Sequence, residues 1–455
     1  MRRVSQVPHV PRVPRVPDVL GVLVVFAAIA VVFAPLAISA AAGPHETTFV
    51  VESRAEVIAR VAVQCEKCAW DVTGREAVVF RIMVDGRYHQ HLPIVRSGQA
   101  VYAVMLGRLD AGSHTVRVEA DAELTSRDLQ GDYATIGPIA VEQTPESSPQ
   151  HRALALAPIV YARPNTVGRF TDVPVLMWYE TEPTSRGTRY RYSVIFTNED
   201  GGTPTDRLMA TWGRTTDIEY LYSVEVDATG AIVAEDFQGP EHEVLPFGGT
   251  REGRHPLLWV STVNNMVLDK GTTRLRYALA PVAFPLHGLA REAVMDAHPW
   301  LYAVMAQELM REGKIVSDAA PGTDTIPDPR RFVFLEACGE LGGSALALAI
   351  LVDGRWIASD RGVPEYRIVR DGCFRAAIPL PPPLSARDVR AVRAMAYTRQ
   401  SSGESPAKPA GPVRLTRLNK VFQLDERYRP GPSRFNWQGV LTLAPDGQPV
   451  EIPRS

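Results

Sequence analysis

Ile82-Met83-Val84-Asp85-Gly86-Arg87-Tyr88 has a close copy near the other end of the chain, Ile350-Leu351-Val352-Asp353-Gly354-Arg355-Trp356. In each copy an apolar β-type run breaks at Asp-Gly and resumes on Arg and an aromatic residue. Asp-Gly between such runs favours a tight β-hairpin, because both central residues of a type I′ turn need a positive φ. The repeat therefore predicts two related β modules around a middle region. Neither copy carries a nucleophile or a metal-ligand set, so we expect the functional site between them.

Short apolar runs surround the first copy, and they indicate the strands of one module over residues 47–142. They lie at residues 48–51, 57–63, 78–84, 100–105 and 114–120. Their spacing and alternation predict a β-sandwich with one face of each sheet buried. Residues 106–118 look like the turn and closing strand of immunoglobulin-like modules. A second sandwich of the same kind is expected over residues 331–455.

The middle region, residues 151–328, is set off by two polar, proline-containing segments at residues 143–150 and 317–330. Most of it has β-type patterning. Apolar residues recur at three- and four-residue intervals only over about 285–314, which predicts a helical insert with a restart at His298-Pro299 and an end at Gly313. The expected fold is mainly β, with two immunoglobulin-like sandwiches flanking a β-rich central domain.

The start of the chain, residues 1–42, is typical of a membrane-directing segment. Arg2, Arg3, Arg12 and Arg15 precede a run from residue 19 to 42 that has no charge. One interpretation is a signal peptide cut after the small residues 39–42; the other is an uncleaved anchor helix, which needs roughly 20 apolar residues. In both cases the rest of the chain is exported, and the cytoplasmic membrane is a partner only if the segment remains. The protein is thus predicted to be secreted or membrane-anchored outside the cytoplasm.

Charge and cysteine content agree with export. The chain has 49 basic and 51 acidic residues and no basic stripe, which excludes the usual signature of a nucleic-acid-binding protein. In an exported chain, four cysteines favour disulfides over metal ligands. Cys65 and Cys68 form a CxxC motif, and Cys338 and Cys373 flank the second hairpin. We predict the pairs Cys65–Cys68 and Cys338–Cys373.

The candidate acid-base residues lie in the middle region. Asp217 and Glu219 alternate on a predicted strand and share a face, and His242 and His255 follow them. Together they are a candidate site for general acid-base chemistry or a divalent cation. Their spacing fits no named motif, and a solvated strand face explains such charges equally simply.

Two further sets of residues are candidate binding sites. Oxygen atoms of Asn198, Asp200 and Asp206 are candidate calcium ligands beside Gly201-Gly202, although a plain glycine turn also accounts for this segment. An aromatic platform for a sugar ring is the second candidate, unless the same rings fill a core. Its members are Trp212, Arg214, Tyr220 and Tyr222.

Part of the middle region resembles the Vps62-related proteins. The resemblance rests on Asp217-Ile218-Glu219, on the segment from His255 to Val260, and on Asn264-Asn265. This chain has Ile218 and Tyr220 where the family has Trp and His, and Asn264-Asn265 where it has Ser-His. These departures remove the histidines, so the resemblance assigns no functional residue here.

These observations favour an exported binding or scaffold protein whose partner is a glycan or another envelope protein. The alternative is an envelope hydrolase that uses the acid-base candidates. The sequence contains no signature of a common nucleotide, dinucleotide or zinc-protease site, and it predicts no cofactor other than a calcium ion.

Overall fold

The computed structural model describes residues 45–131, 133–170, 172–199, 201–399 and 410–454, without the side chains of Val167 and Gly168. The predicted leader and most of the polar loop at 401–411 lie outside the described residues. Within them the chain is mainly β, as predicted, and no helix is long and apolar enough to cross a membrane.

The first module is built from two antiparallel sheets. Its strands are β1 His45–Val51, β2 Ala55–Cys65, β3 Val79–Val84, β4 Arg87–Pro93, β5 Gly98–Leu109, β6 Gly112–Ala120 and β7 Thr135–Pro145. One sheet has the order β1-β6-β3-β4 and the other β5-β2-β7. Their inner faces share one core, in which Val61 of β2 and Ile82 of β3 are fully buried. The alternating pattern of the sequence thus forms a two-layer sandwich.

The middle region adds a six-stranded and a five-stranded sheet. Its elements are α1 His151–Ala155, β8 Ile159–Tyr161, α2 Thr166–Arg169, β9 Pro174–Pro183, β10 Thr188–Phe196, α3 Thr205–Trp212, β11 Asp217–Val226, β12 Ile232–Gln238, β13 Val244–Pro246, β14 Arg251–Glu252, β15 His255–Val260, β16 Val267–Leu268, β17 Arg276–Tyr277, β18 Val282–Ala283, α4 Ala293–Ala297 and α5 Trp300–Arg311. The larger sheet has the order β13-β12-β11-β10-β9-β18. The smaller one runs β14-β15-β8-β17, with β16 paired to β15.

The last module is again a pair of sheets. Its strands are β19 Phe332–Glu340, β20 Ala345–Val352, β21 Arg355–Ala358, β22 Gly372–Pro379, β23 Val389–Tyr397, β24 Val413–Phe422, β25 Trp437–Leu443 and β26 Val450–Glu451. The sheet orders are β22-β19-β24-β25 and β21-β20-β23-β26. Leu348 of β20 and Phe374 of β22 lie fully buried in the core between them.

The two outer modules have matching strand orders. In the first, β2 lies between β5 and β7, and in the last β19 lies between β22 and β24. The other sheets correspond as β1-β6-β3-β4 and β26-β23-β20-β21. The edge strand of that sheet comes from the start of the first module and from the end of the last. The two modules are therefore related as the sequence predicts, while their immunoglobulin-like character stays a prediction.

The repeated Asp-Gly pairs occupy equivalent hairpin turns. Asp85 has φ 48° and Gly86 φ 73°, and Asp353 and Gly354 have 48° and 72°. Positive φ at both central positions is the geometry of a type I′ turn, which matches the twist of the flanking strands. The turns join β3 to β4 and β20 to β21, the corresponding strand pairs of the two modules.

The predicted helical stretch consists of two helices. His298 and Pro299 separate α4 from α5, and α5 ends shortly before Gly313, which has φ 68°. Side chains of α5 and of β19 share one core cluster, so the middle region and the last module pack together. All described residues belong to one compact unit, and the proposed domain boundaries stay predictions.

Both predicted disulfides are confirmed. Cys65 is bonded to Cys68 just after β2, and Cys338 is bonded to Cys373 across the paired strands β19 and β22. Disulfides persist where the surroundings are oxidising, so the pairs indicate an extracytoplasmic environment.

Candidate functional site

Trp212 is the last residue of a helix that the sequence did not reveal. Pro204 precedes α3, and Gly213 follows it with φ 63°. Proline at the start and a left-handed glycine at the end are common helix boundaries. These two residues were the sequence signal from which α3 could have been predicted. Trp212 lies next to the last module, where the middle region and the last module enclose a cavity of about 270 Å³.

Arginine dominates this cavity, which we call the arginine–tryptophan pocket. Its lining residues include Arg207, Thr211, Trp212, Glu365, Arg367, Arg370 and Arg399. Four guanidinium groups thus face a single carboxylate among the described lining residues. A net positive pocket with a half-buried indole ring in its lining is suited to an anionic ligand.

Two of these arginines are held by contacts to the protein. Arg370 lies over the ring of Trp212, with Cζ 5.0 Å from the ring centroid, and donates from Nη2 to the carbonyl oxygen of Thr211 at 2.6 Å. Arg367 donates from Nε to a carboxylate oxygen of Asp360 at 3.0 Å. Both guanidiniums are therefore fixed before any ligand arrives.

The remaining arginines leave hydrogen-bonding capacity free. Nε of Arg207 is buried and has no hydrogen-bond acceptor among the described residues. Burial is the main cause that lowers the pKa of Arg370 to about 10; Glu292 opposes the shift, and the positive charges of Arg291 and Arg214 add to it. Arg370 stays charged at neutral pH, and a bound anion would favour that charge.

Asp217 and Glu219 do lie together at the start of β11. Their exposures are 3% and 9%. Burial raises the pKa of Asp217, and burial together with the charge of Asp217 raises that of Glu219 well above its usual range. The raised pKa favours the protonated form of Glu219, which is the form that donates a hydrogen bond to Asp217. Nδ2 of Asn265 donates to the other side of Asp217, at 3.0 Å from Oδ2.

Glu199 completes this acidic cluster, and sequence reasoning missed it. Burial, reinforced by the charge of Asp217, raises the pKa of Glu199 to about 7. Positive charge comes from Arg214, whose Nη1 lies 3.8 Å from Asp217 Oδ1. Three carboxyl groups thus act on one another's pKa here, and Asp217 and Glu219 are the two most buried of them.

The structure does not bring the two predicted histidines to this cluster. His242 is exposed in a turn, where its Nδ1 contacts Nε2 of Gln238 at 2.9 Å. His255 is buried, with Nδ1 2.9 Å from the carbonyl oxygen of Ala157 and Nε2 3.2 Å from Oε2 of Glu56. With acceptors on both nitrogens, His255 forms a buried pair with Glu56 and is not free to act as a base.

The predicted aromatic platform is also divided. Tyr222 is buried in the core, stacked on Tyr192 at 6.3 Å, and the hydroxyl of Tyr220 bonds the carboxylate of Asp236. Arg214 is buried and donates from Nε to Glu292 at 3.1 Å. Tyr220 and Tyr222 lie on β11 and Arg214 precedes that strand, while Trp212 belongs to α3 and lines the pocket.

The calcium candidates have other partners. Asn198 donates from Nδ2 to Glu312 at 3.2 Å, and Asp206 accepts from the backbone N–H of Gly322 at 2.8 Å. Asp200 lies outside the described residues. Over the residues that the structure describes, no group of three potential ligands could hold a metal ion.

A larger cavity of about 760 Å³ lies beside the first hairpin, where we had not expected a site. Asp85, Arg87, Tyr88, Glu252, His255 and Arg276 are among its lining residues. Burial lowers the pKa of His89, which also lines it, to about 3, with the charge of Arg276 acting in the same direction. His89 is therefore neutral. Two of the lining charges form a pair, since Arg276 donates to Glu252 at 2.7 Å.

Comparison with known proteins adds little. No family model matches the chain, and no curated protein matches it. Among solved structures it is similar to "NLPPya in complex with mannosamine", at 12% identity over 31% of this chain and 75% of that chain, with a TM-score of 0.22. It is also similar to a GH2 beta-galacturonidase from Eisenbergiella tayi bound to galacturonate, at 11% identity over 34% of this chain and 23% of that chain, with a TM-score of 0.15. Likenesses this slight assign the chain to no family.

Proposed function

We propose that this protein is an extracytoplasmic binding protein whose arginine–tryptophan pocket takes a carboxylate-bearing sugar. The observation that carries the proposal is the arrangement of four arginines around Trp212, with Glu365 as the single carboxylate of the described lining. Catalysis is not part of the proposal.

Charge selects the class of ligand. A carboxylate accepts two parallel hydrogen bonds from one guanidinium, and such bidentate pairs are among the stronger contacts in proteins. Arg207 has a buried Nε without an acceptor, and Arg370 is held in place by Thr211. A neutral ligand would leave the excess of positive charge in the lining uncompensated, because within the described residues Arg367 alone of the four arginines is paired with a carboxylate, that of Asp360.

Aromatic surface and size select a sugar. Sugar rings present apolar C–H faces, and an indole ring is a common surface for them because it offers apolar area with a polar edge. The cavity of about 270 Å³ is smaller than the 300–1,000 Å³ typical of drug-sized ligands, and it suits one sugar residue of a longer glycan.

The hydrolase alternative has weaker support. Its candidates Asp217 and Glu219 are buried together, while His242 and His255 make separate contacts. Asp217 and Asn265, both within the segment resembling Vps62-related proteins, hydrogen-bond each other as parts of a buried network. Kinship with that family remains a proposal, and it assigns no activity.

The test is titration of the purified, oxidised protein with glucuronate and with glucose, followed by calorimetry or NMR. We expect glucuronate to bind at least tenfold more tightly than glucose, with affinity falling as salt is raised. Trp212→Ala and Arg207→Gln should each weaken glucuronate binding by about tenfold, the effect of losing roughly 1.4 kcal/mol of contact energy.

Arg54→Gln is the matched control, because Arg54 is an exposed arginine of the first module, paired with Asp110 at 2.6 Å. It should leave affinity unchanged. Equal binding of glucose and glucuronate, or equal losses in the control and the pocket variants, would overturn the proposal.

A further inference from the structure

A second arginine-rich cavity, which we call the four-arginine pocket, lies in the last module. It has a volume of about 280 Å³. Its lining includes Arg387, Arg390, Arg434, Phe435, Asn436 and Arg454. None of the predicted site residues lies in it.

The fold gathers these arginines from three separate segments. Ser385 caps the short 3-10 turn Ala386–Asp388, and β23 then carries Arg390. Arg434 precedes β25, and Arg454 follows β26, the edge strand paired with β23. Residues far apart in sequence therefore meet at the end of the sandwich where β23 begins.

Contacts within the protein hold the guanidinium of Arg454 in the four-arginine pocket. Arg454 lies over the ring of Phe435, with Cζ 4.5 Å from the ring centroid, and donates from Nη2 to the carbonyl oxygen of Arg390 at 2.7 Å. Stacking on an aromatic ring and a backbone hydrogen bond hold the planar group in one orientation.

The charges of the pocket are unbalanced. No described lining residue carries a carboxylate. A carboxylate adjacent in sequence to the lining is that of Asp388, whose Oδ2 accepts from the backbone N–H of Ser385 at 2.8 Å. That hydrogen bond lowers the pKa of Asp388, and the nearby charges of Arg390 and Arg387 lower it further. Four guanidiniums thus face one neighbouring carboxylate that is already engaged.

We infer that the four-arginine pocket binds a phosphate group. Four guanidinium groups lining one small cavity suit a tetrahedral ligand with more than one negative charge, whose oxygens accept paired N–H donors. The pocket differs from the arginine–tryptophan pocket, which has a carboxylate and an indole in its lining and suits a singly charged sugar.

The two pockets are independent sites. One includes Thr398, just after β23, and the other includes Val389, at its start. A strand of this length, Val389–Tyr397, spans roughly 26 Å at 3.3 Å per residue. Failure of either proposal therefore leaves the other standing.

The experiment uses the whole protein with two probes. Inorganic phosphate is titrated by NMR or calorimetry, and vesicles of phosphatidylglycerol are compared with vesicles of phosphatidylcholine by co-sedimentation. The double variant Arg387→Gln/Arg434→Gln removes two charges whose side chains are exposed, so the fold should persist. Arg414→Gln is the control, because Arg414 is an exposed arginine of the same module.

We expect the double variant to weaken phosphate binding at least tenfold, and Arg414→Gln to leave it unchanged. Binding of inorganic phosphate supports a site for free phosphate groups. Binding only to phosphatidylglycerol vesicles, lost in the double variant and kept in the control, supports a lipid headgroup. Equal binding by the double variant and the control, or no binding of either probe, overturns the inference.

Discussion

Arg370 lies over Trp212, with its Cζ 5.0 Å from the centroid of the indole ring, although the two residues belong to different parts of the chain. Trp212 ends α3 of the middle region, and Arg370 precedes β22 of the last module. The contact closes one side of the arginine–tryptophan pocket. Packing of the two regions, and not either region alone, therefore creates the proposed binding site.

Replacing Arg370 with lysine should weaken this contact although the charge is kept. Lysine has no planar group to stack on Trp212 and cannot reproduce the hydrogen bond to Thr211 in the same geometry. We expect Arg370→Lys to lower the free energy of unfolding by about 1 kcal/mol, measured by urea denaturation. The exposed Arg414→Lys should stay within about 0.5 kcal/mol of the wild type. Equal effects of the two changes would show that Arg370 acts only as a charge.

The stability of the Glu219→Gln variant should fall less than that of the wild type at neutral and mildly alkaline pH. Burial raises the pKa of Glu219 in the folded state, so the native protein holds a proton that the unfolded chain releases above about pH 4.5. The stability of the wild type therefore falls as pH rises from 4.5 towards the folded-state pKa. Glutamine keeps a donor for Asp217 and has no proton to lose. Thermal unfolding from pH 4 to 8 should show the variant gaining on the wild type as pH rises.

Asp217→Asn provides the contrast within the same cluster. It removes the carboxylate that lies beside Arg214 and accepts a hydrogen bond from Asn265. We expect the free energy of unfolding to fall by about 1–3 kcal/mol, because the buried guanidinium of Arg214 loses the negative charge beside it. A flat stability difference between Glu219→Gln and the wild type across this pH range would contradict a protonated Glu219.

The two disulfides should differ in what they contribute. Cys338 and Cys373 are 35 residues apart in sequence, whereas Cys65 and Cys68 are 3 apart. In the chain-entropy model, the longer loop contributes about 4 kcal/mol and the shorter about 2 kcal/mol. Paired cysteine-to-alanine variants, compared by denaturant unfolding, should follow this order. The reverse order would mean that native-state contacts outweigh the loop length.

Gly86→Ala and Gly354→Ala should lower the free energy of unfolding by the same amount. Both glycines have φ near 72°, and a Cβ atom added at either would meet nothing within 4 Å. The cost is therefore the left-handed backbone conformation alone, about 1–2 kcal/mol in each case. Thermal unfolding of both single variants measures it. A difference larger than 1 kcal/mol would show that the two turns are not equivalent.

Local signals predicted a large part of the fold. The Asp-Gly pairs marked two equivalent hairpins, His298-Pro299 marked the break between α4 and α5, and the cysteine positions identified both disulfides. Each of these depends on a few adjacent residues or on the compartment of the protein. The eight residues of α3 were missed because two turns of helix contain too few apolar positions for a repeating pattern to be recognised.

The candidate sites were predicted less completely than the fold, because a site depends on which residues lie close together in the folded protein. Asp217 and Glu219 lie together because they alternate on one strand. Glu199, which lies on another segment, is close to them. His255 is instead paired with Glu56, 199 residues away in sequence. No spacing rule predicts such partners, because they are chosen by the packing of whole sheets.

By itself, the sequence determined the mainly β class, the repeated hairpin and the disulfide pairs, because these follow from backbone preferences and short-range chemistry. Only the tertiary structure decided that Trp212 faces four arginines and that four others converge beside Phe435. Arginines gather in these places because folding brings distant strands and loops to the same edge of a sheet. The order of residues in the sequence does not show that proximity.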